Sequence, residues 1–234
     1  MLKRFLTSAA MSAAFVSSAA FAGNSDLPQV PECMHCFKPF VGIYYSYLNA
    51  DTHSINQIFP FLSSANVLQN VSLSGSIPDT FNGLGFMWGG KYGPYFGFAT
   101  GMNHYFEDST TMSATLVGTT QVVNANVNTV ADLFFAEARG YLPLMEGFDL
   151  IGAVGAALLE AHTNITGTFS STQSFAINSL PSNHLTWRFG AGADYYFTQN
   201  WGVEAMFHYM PTSGNHVFVE DFWTMDAGIL YTFS

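Results

Sequence analysis

From residue 41 onward, apolar side chains recur at every second position, in segments separated by turn-forming residues. Val41, Ile43, Tyr45 and Tyr47 share one face of the first segment. In the second, Leu84, Phe86 and Trp88 alternate with Gly83, Gly85, Met87 and Gly89, and the third sets Phe96, Phe98 and Met102 opposite Gly97, Ala99, Gly101 and Asn103. The fourth runs from about Val130 to Tyr141, the fifth from Phe148 to about His162. The sixth sets Leu185, Trp187, Phe189, Ala191, Ala193, Tyr195 and Phe197 against Thr186, Arg188, Gly190, Gly192, Asp194 and Tyr196. In the seventh, Val203, Ala205, Phe207 and Tyr209 oppose Gly202, Glu204, Met206 and His208. In the eighth, Trp223, Met225, Ala227, Ile229, Tyr231 and Phe233 oppose Thr224, Asp226, Gly228, Leu230 and Thr232. A period of two with one apolar and one small or polar face predicts eight β-strands. A soluble sandwich has the same alternation, so the pattern alone does not choose the fold.

The connections do choose. Lys91 to Pro94, Leu142 to Gly147 and Thr198 to Asn200 are short; Asn49 to Thr80, Glu107 to Asn128, Thr163 to Asn183 and Pro211 to Asp221 are long. Short turns at one end and long loops at the other are the arrangement of an up-and-down transmembrane barrel, with the short turns periplasmic. Alternation persists into the long loops, at Val71, Leu73 and Ile77 and again from Thr111 to Val123, so strands extend beyond the membrane. Using the first loop as an extra hairpin would make a ten-stranded barrel. An aromatic girdle is predicted, with Trp88 and Trp201 at the periplasmic rim and Trp187 and Trp223 at the outer rim.

Composition fits this reading. Only 9% of residues are charged and 16% are aromatic, against about a quarter charged in a soluble domain. The chain opens with Lys3 and Arg4, an uncharged run from Phe5 to Phe21, and Ala20-Phe21-Ala22, which reads as a secretory signal peptide over residues 1–22. No cysteine sits at that cut, so an N-terminal lipid anchor is not expected. Beyond it no uncharged apolar run reaches about 18 residues, so no helix is expected to span a bilayer. Backbone groups in lipid must pair internally, which leaves a closed barrel. Residues 23–36 form a periplasmic N-terminal segment and 37–234 the barrel. Without the signal, four basic residues face sixteen acidic ones, a net charge of −12, which excludes nucleic acid as a partner.

The eight alternating segments, the turn from Tyr196 to Glu204 and the ending Ile229-Leu230-Tyr231-Thr232-Phe233 resemble the small outer-membrane β-barrel superfamily of OmpA-like, OmpX-like and opacity-type surface proteins. The resemblance implies an all-β, eight-stranded antiparallel barrel in a bacterial outer membrane, with lipid and lipopolysaccharide around it. It also implies that Tyr231 and Phe233 are the signal read by the barrel-assembly machinery. Ser234 follows the usual terminal aromatic. No peptidoglycan-binding segment follows the barrel pattern, so the anchoring role of OmpA-like proteins is not expected.

Strand parity points Glu137, Arg139, Arg188, Asp194, Glu204, His208 and Asp226 into the lumen, with Glu160 as a further candidate. They divide by height into a periplasmic layer (Glu137, Arg139, Asp194, Glu204) and an outer layer (Arg188, His208, Asp226, Glu160). A hairpin about Gln199 sets Asp194 opposite Glu204, and Arg139, whose fork engages two carboxylates, is the cation expected to answer them. Such a network is a plug, or the gate of an ion path. Cys33 and Cys36 precede the first strand on an oxidising side, and a disulfide, local or intermolecular, is favoured over metal binding or redox chemistry. Asp51, Glu107, Asp108, Glu220 and Asp221 gather at the predicted outer rim, read as a solvated edge ahead of a divalent-cation site. No serine–histidine–acid set is singled out. Neither catalysis nor a metal or cofactor is expected. The favoured function is structural and adhesive: a barrel plugged by its own side chains, displaying extracellular loops to a host or surface ligand. A narrow channel for small or hydrophobic solutes comes next, and a lipid-modifying enzyme last.

Overall fold

The computed structural model describes residues 36–52, 71–74, 79–116, 122–170, 173–211 and 219–233. The predicted signal peptide, most of the 23–36 segment, Cys33 and the loop residues 53–70 lie outside them.

Nine strands follow in chain order: β1 Phe37–Thr52, β2 Val71–Ser74, β3 Thr80–Tyr92, β4 Phe96–Leu116, β5 Val122–Met145, β6 Phe148–Ser170, β7 Gln173–Tyr196, β8 Trp201–Pro211 and β9 Val219–Thr232. All but β2 pair antiparallel with both neighbours in the order β4-β3-β1-β9-β8-β7-β6-β5, and β4 pairs with β5 to close the ring. The result is an all-antiparallel eight-stranded barrel. The four-residue β2 is not one of the eight ring strands; it pairs with the outer part of β4 from Val71↔Leu116 to Ser74↔Ser113, beyond the stretch of β4 that pairs with β3. The ten-stranded alternative therefore fails: β3 pairs directly with both β1 and β4 and leaves no gap in the wall.

At one end the connections are tight. Gly93 and Gly147 turn the β3–β4 and β5–β6 hairpins at φ 61° and 74°, in the left-handed region where glycine carries no Cβ penalty. At the β7–β8 turn, Thr198 Oγ1 accepts from the backbone N–H of Trp201 at 2.8 Å. The barrel seam is fastened here too, by the Phe233 N–H donating to Pro39 O at 2.8 Å and Thr232 N–H to Asn200 O at 2.7 Å. At the other end β5, β6 and β7 reach 24, 23 and 24 residues, where about 9–11 suffice to cross a bilayer. Their hairpins stay paired out to Thr115↔Val122 and Ser170↔Gln173, so these strands continue above the membrane.

The two faces of the wall differ as the alternation predicts, but inside out relative to a soluble protein. Ile43 is 65% exposed, Leu185 77% and Trp187 66%, while their strand neighbours Tyr44, Thr186 and Arg188 are buried. A continuous outward band of large apolar side chains is a surface for lipid rather than water.

The lumen departs from expectation. Outward of the charged residues it carries an apolar layer rather than small or polar positions, with Leu48, Phe81, Leu133, Leu159, Met210 and Phe222 between 0 and 4% exposed, and buried Thr129, Thr163 and His184 beyond it. Glycines opposite bulky lumen residues make space: a Cβ at Gly190 would lie 2.4 Å from His208 Cδ2.

Candidate functional site

The charged side chains of the lumen network come from four of the eight wall strands, β5, β7, β8 and β9, and β1, β3 and β4 supply uncharged partners. Arg139 on β5 sits at its periplasmic part. Its Nε donates to Glu137 Oε1 at 2.8 Å and its Nη1 to Glu204 Oε2 on β8 at 2.7 Å, while Nη2 contacts Met87 Sδ on β3 at 3.0 Å. Arg188 on β7 sits further out. Its Nε is 3.1 Å from Glu137 Oε2, its Nη2 is 3.2 Å from Asp226 Oδ2 on β9, and its guanidinium lies 3.9 Å from the centre of the Phe135 ring. His208 bridges the same two acids, with Nδ1 3.0 Å from Asp226 Oδ2 and Nε2 3.4 Å from Glu137 Oε2. The other oxygen of Asp226 accepts from Ser46 Oγ on β1 at 2.5 Å and from Asn103 Nδ2 at 3.2 Å on β4, and Thr224 Oγ1 adds 3.2 Å to Oδ2. Tyr105 OH stands 2.9 Å from Ser46 Oγ.

Glu137, Arg139, Arg188, Glu204, His208 and Asp226 are 1–6% exposed. At such burial an unpaired charge would cost several kcal/mol, roughly 3–5 when one partner of a pair is lost. Mutual pairing is what lets these charges remain inside a lipid-embedded cylinder. The predicted division into two layers does not hold, because Glu137 gives one oxygen to Arg139 and the other to Arg188, joining both layers into one network.

Three placements differ from the sequence reading. Asp194 is opposite Glu204 as predicted, but Arg139 does not reach both. Glu137, two residues along the same strand and on the same face, takes the second arm of the fork. Asp194 instead lies in a row of inward carboxylates on adjacent strands, Asp149↔Asp194↔Glu204, with its Oδ1 lacking a hydrogen-bond partner. Glu160 points outward: on β6 the buried positions are Asp149, Ile151, Ala157, Leu159 and Thr163, so an even-numbered residue faces the exterior. There it pairs in register with Asp132, whose Oδ1 is 2.7 Å from His104 Nδ1. Trp88 is not at the strand end, since β3 continues to Tyr92; it lies within the apolar band, against Phe98 at 6.2 Å.

Trp201 and Trp187 are exposed on the outward face, Trp223 is half-buried between Tyr47 and Phe207 at 5.6 and 5.8 Å, and Trp201 stacks edge-on to Tyr231 at 4.9 Å. Tyr231 in turn meets Phe233 at 5.0 Å. Cys36 is disulfide-bonded and immediately precedes β1. Glu107 and Asp108 are exposed, and Asp221 Oδ2 accepts from Tyr209 OH at 2.7 Å. Among the described residues, no group of His, Cys, Asp or Glu is arranged to hold a metal ion.

Sequence reasoning missed the ion pair between Lys91 and Asp149 at the periplasmic end, with Lys91 Nζ also 4.5 Å from the centre of the Tyr141 ring. The sequence pattern puts Lys91 in a turn; β3 runs on through it and its side chain points inward.

No family model and no curated protein sequence matches the chain. Among solved structures it is similar to Ail, the attachment invasion locus protein of Yersinia pestis, at 12% identity and TM-score 0.45, covering 86% of this chain and 100% of that one. It is also similar to the outer membrane protein OprG from Pseudomonas aeruginosa, at 12% identity and TM-score 0.49, covering 86% and 98%. A third is Neisserial surface protein A, at 10% identity and TM-score 0.42, covering 84% and 97%. These likenesses concern the fold. The closed up-and-down antiparallel barrel with its outward apolar band is the arrangement of a membrane-spanning β-barrel.

Proposed function

We propose that this outer-membrane barrel is non-conducting, with a lumen closed by its own side chains, and that its role is structural and adhesive at the cell surface. The observation that carries the reading is the buried network of Glu137, Arg139, Arg188, Glu204, His208 and Asp226. An eight-stranded barrel is only wide enough for side chains to fill, and here long side chains from opposite walls meet across it. On this reading the carboxylates and His208 act as ion-pair partners and not as acid–base catalysts.

The long paired hairpins β4–β5 and β6–β7 support the display role. Strands far longer than a bilayer requires give a stiff platform for surface loops, on which a host or neighbouring-cell ligand would dock. Lipopolysaccharide would surround the outer rim, and Tyr231 and Phe233 would be read by the barrel-assembly machinery.

Planar-bilayer recording tests the closure. The purified protein should show no ion-conducting steps above the lipid background. Regular unitary steps in the native barrel would favour the channel for small solutes instead. Cell adhesion should fall when residues 112–125 are replaced by a short turn; adhesion unchanged with the barrel still folded would remove the display role.

A further inference from the structure

The lumen contains two different barriers, and they do different work. The charge network braces opposite walls. One step outward lies a tier that is apolar on seven of the eight wall strands: Leu48 beyond Ser46 on β1, Tyr105 beyond Asn103 on β4, Leu133 beyond Phe135 on β5, Leu159 beyond Ala157 on β6, Met210 beyond His208 on β8, and Phe222 beyond Thr224 on β9. These six are 0–2% exposed and belong to one packed cluster. β3 adds Phe81. On β7 the position is Thr186, whose hydroxyl is engaged by the Pro211 carbonyl. The Tyr105 hydroxyl faces back toward Ser46, so only its ring enters the tier.

We infer that this apolar tier, and not the charge network, is the seal against water and ions from the cell exterior. A charge network is a poor seal by itself, since carboxylates and guanidiniums can replace the hydration shell of an ion that reaches them. A packed ring of hydrocarbon offers no such replacement and excludes water, which is how hydrophobic constrictions close pores. The tier stands on the extracellular side of every charged residue in the network, so an ion coming from outside meets it first. The assignment rests on the closed-lumen reading above, and it separates two roles that reading leaves joined.

The test uses the full-length, oxidised protein in proteoliposomes with its outer end facing the bath. Ala157→Cys places a thiol just beneath the tier, at a 1% exposed inward position. A small charged methanethiosulfonate is added outside. With the tier intact the thiol should stay unmodified. Combining Met210→Ala with Phe222→Ala should raise its modification rate by at least about tenfold, whereas Glu204→Gln, which weakens the charge network but leaves Arg139 paired with Glu137, should leave it within about twofold. Heat-modifiable gel migration checks that each variant is folded. If the double variant does not fold, Leu159→Ser takes its place, adding one hydroxyl to the tier with the same expected direction. Rapid labelling in folded Glu204→Gln, or no labelling in a folded tier variant, would overturn the assignment. Conduction by the native barrel would sink the closed-lumen reading itself, so the two failures are distinguishable.

Discussion

Replacing Arg139 with methionine should be among the most damaging single changes to this barrel. The guanidinium is 1% exposed and is the one cation within ion-pairing distance of Glu204 among the described residues. Glu137 would keep Arg188 at 3.1 Å, but Glu204, 2% exposed at its side chain, would be left as an uncompensated buried carboxylate. Removing one partner of a buried pair costs about 3–5 kcal/mol. The lost contact with the Phe40 ring, at 5.9 Å, adds about 0.5–1 kcal/mol at most. Neutralising the stranded acid should recover part of the loss: in Arg139→Met/Glu204→Gln the coupling should be about 1–3 kcal/mol. Urea unfolding in lipid vesicles, followed by tryptophan fluorescence, measures all four corners of the cycle. A loss below about 1 kcal/mol for Arg139→Met, the value of an exposed surface pair, or zero coupling to Glu204, would refute the account of the network as a mutual brace.

Other outcomes follow from the same geometry. Gly190→Ala would drive a Cβ to 2.4 Å from a His208 ring already held by Asp226 and Glu137 and should lose about 1–3 kcal/mol; Gly152→Ala, which meets nothing within 4 Å, should stay within about 0.5 kcal/mol. Val154 faces lipid midway along the wall, and Val154→Arg should cost about 2–4 kcal/mol, against about 0–1 for Leu142→Arg at the periplasmic edge, both read by the same unfolding curves. Asp132→Asn removes the His104 pair, whose side chains are 51% and 28% exposed, and should change stability by less than about 1 kcal/mol.

Much of this molecule was legible in its alternation because side-chain direction in a strand has period two. That rule alone places Arg139, Asp194, Glu204, His208 and Asp226 in the lumen and Trp187 and Trp201 outside, and the short turns order the strands. It fails where both faces are apolar. Leu158 and Leu159 are adjacent in β6, one outward and one in the lumen, so the parity of Glu160 was not readable from hydrophobicity. The apolar tier was obscured for the same reason, since Leu133, Leu159 and Phe222 break the pattern of greasy outside and polar inside. Pairing preferences inside the lumen are a further step removed from sequence. Register fixes that Asp194 faces Glu204, but whether Arg139 turns to Asp194 or to Glu137 depends on side-chain reach. Strand length is also weakly encoded: β3 carries Lys91 and Tyr92 beyond the last clear alternation at Trp88, which moves Lys91 from a turn into the lumen.

The account depends above all on the apolar face pointing into lipid, and depth-resolved quenching of tryptophan fluorescence by lipids brominated along their acyl chains tests it most directly. Single-tryptophan versions retaining Trp88, Trp187, Trp201 or Trp223 should all be quenched from within the bilayer, with Trp88 responding to bromines placed deeper than those that best quench Trp201. Tryptophans quenched by an aqueous reagent and indifferent to brominated lipid would contradict it.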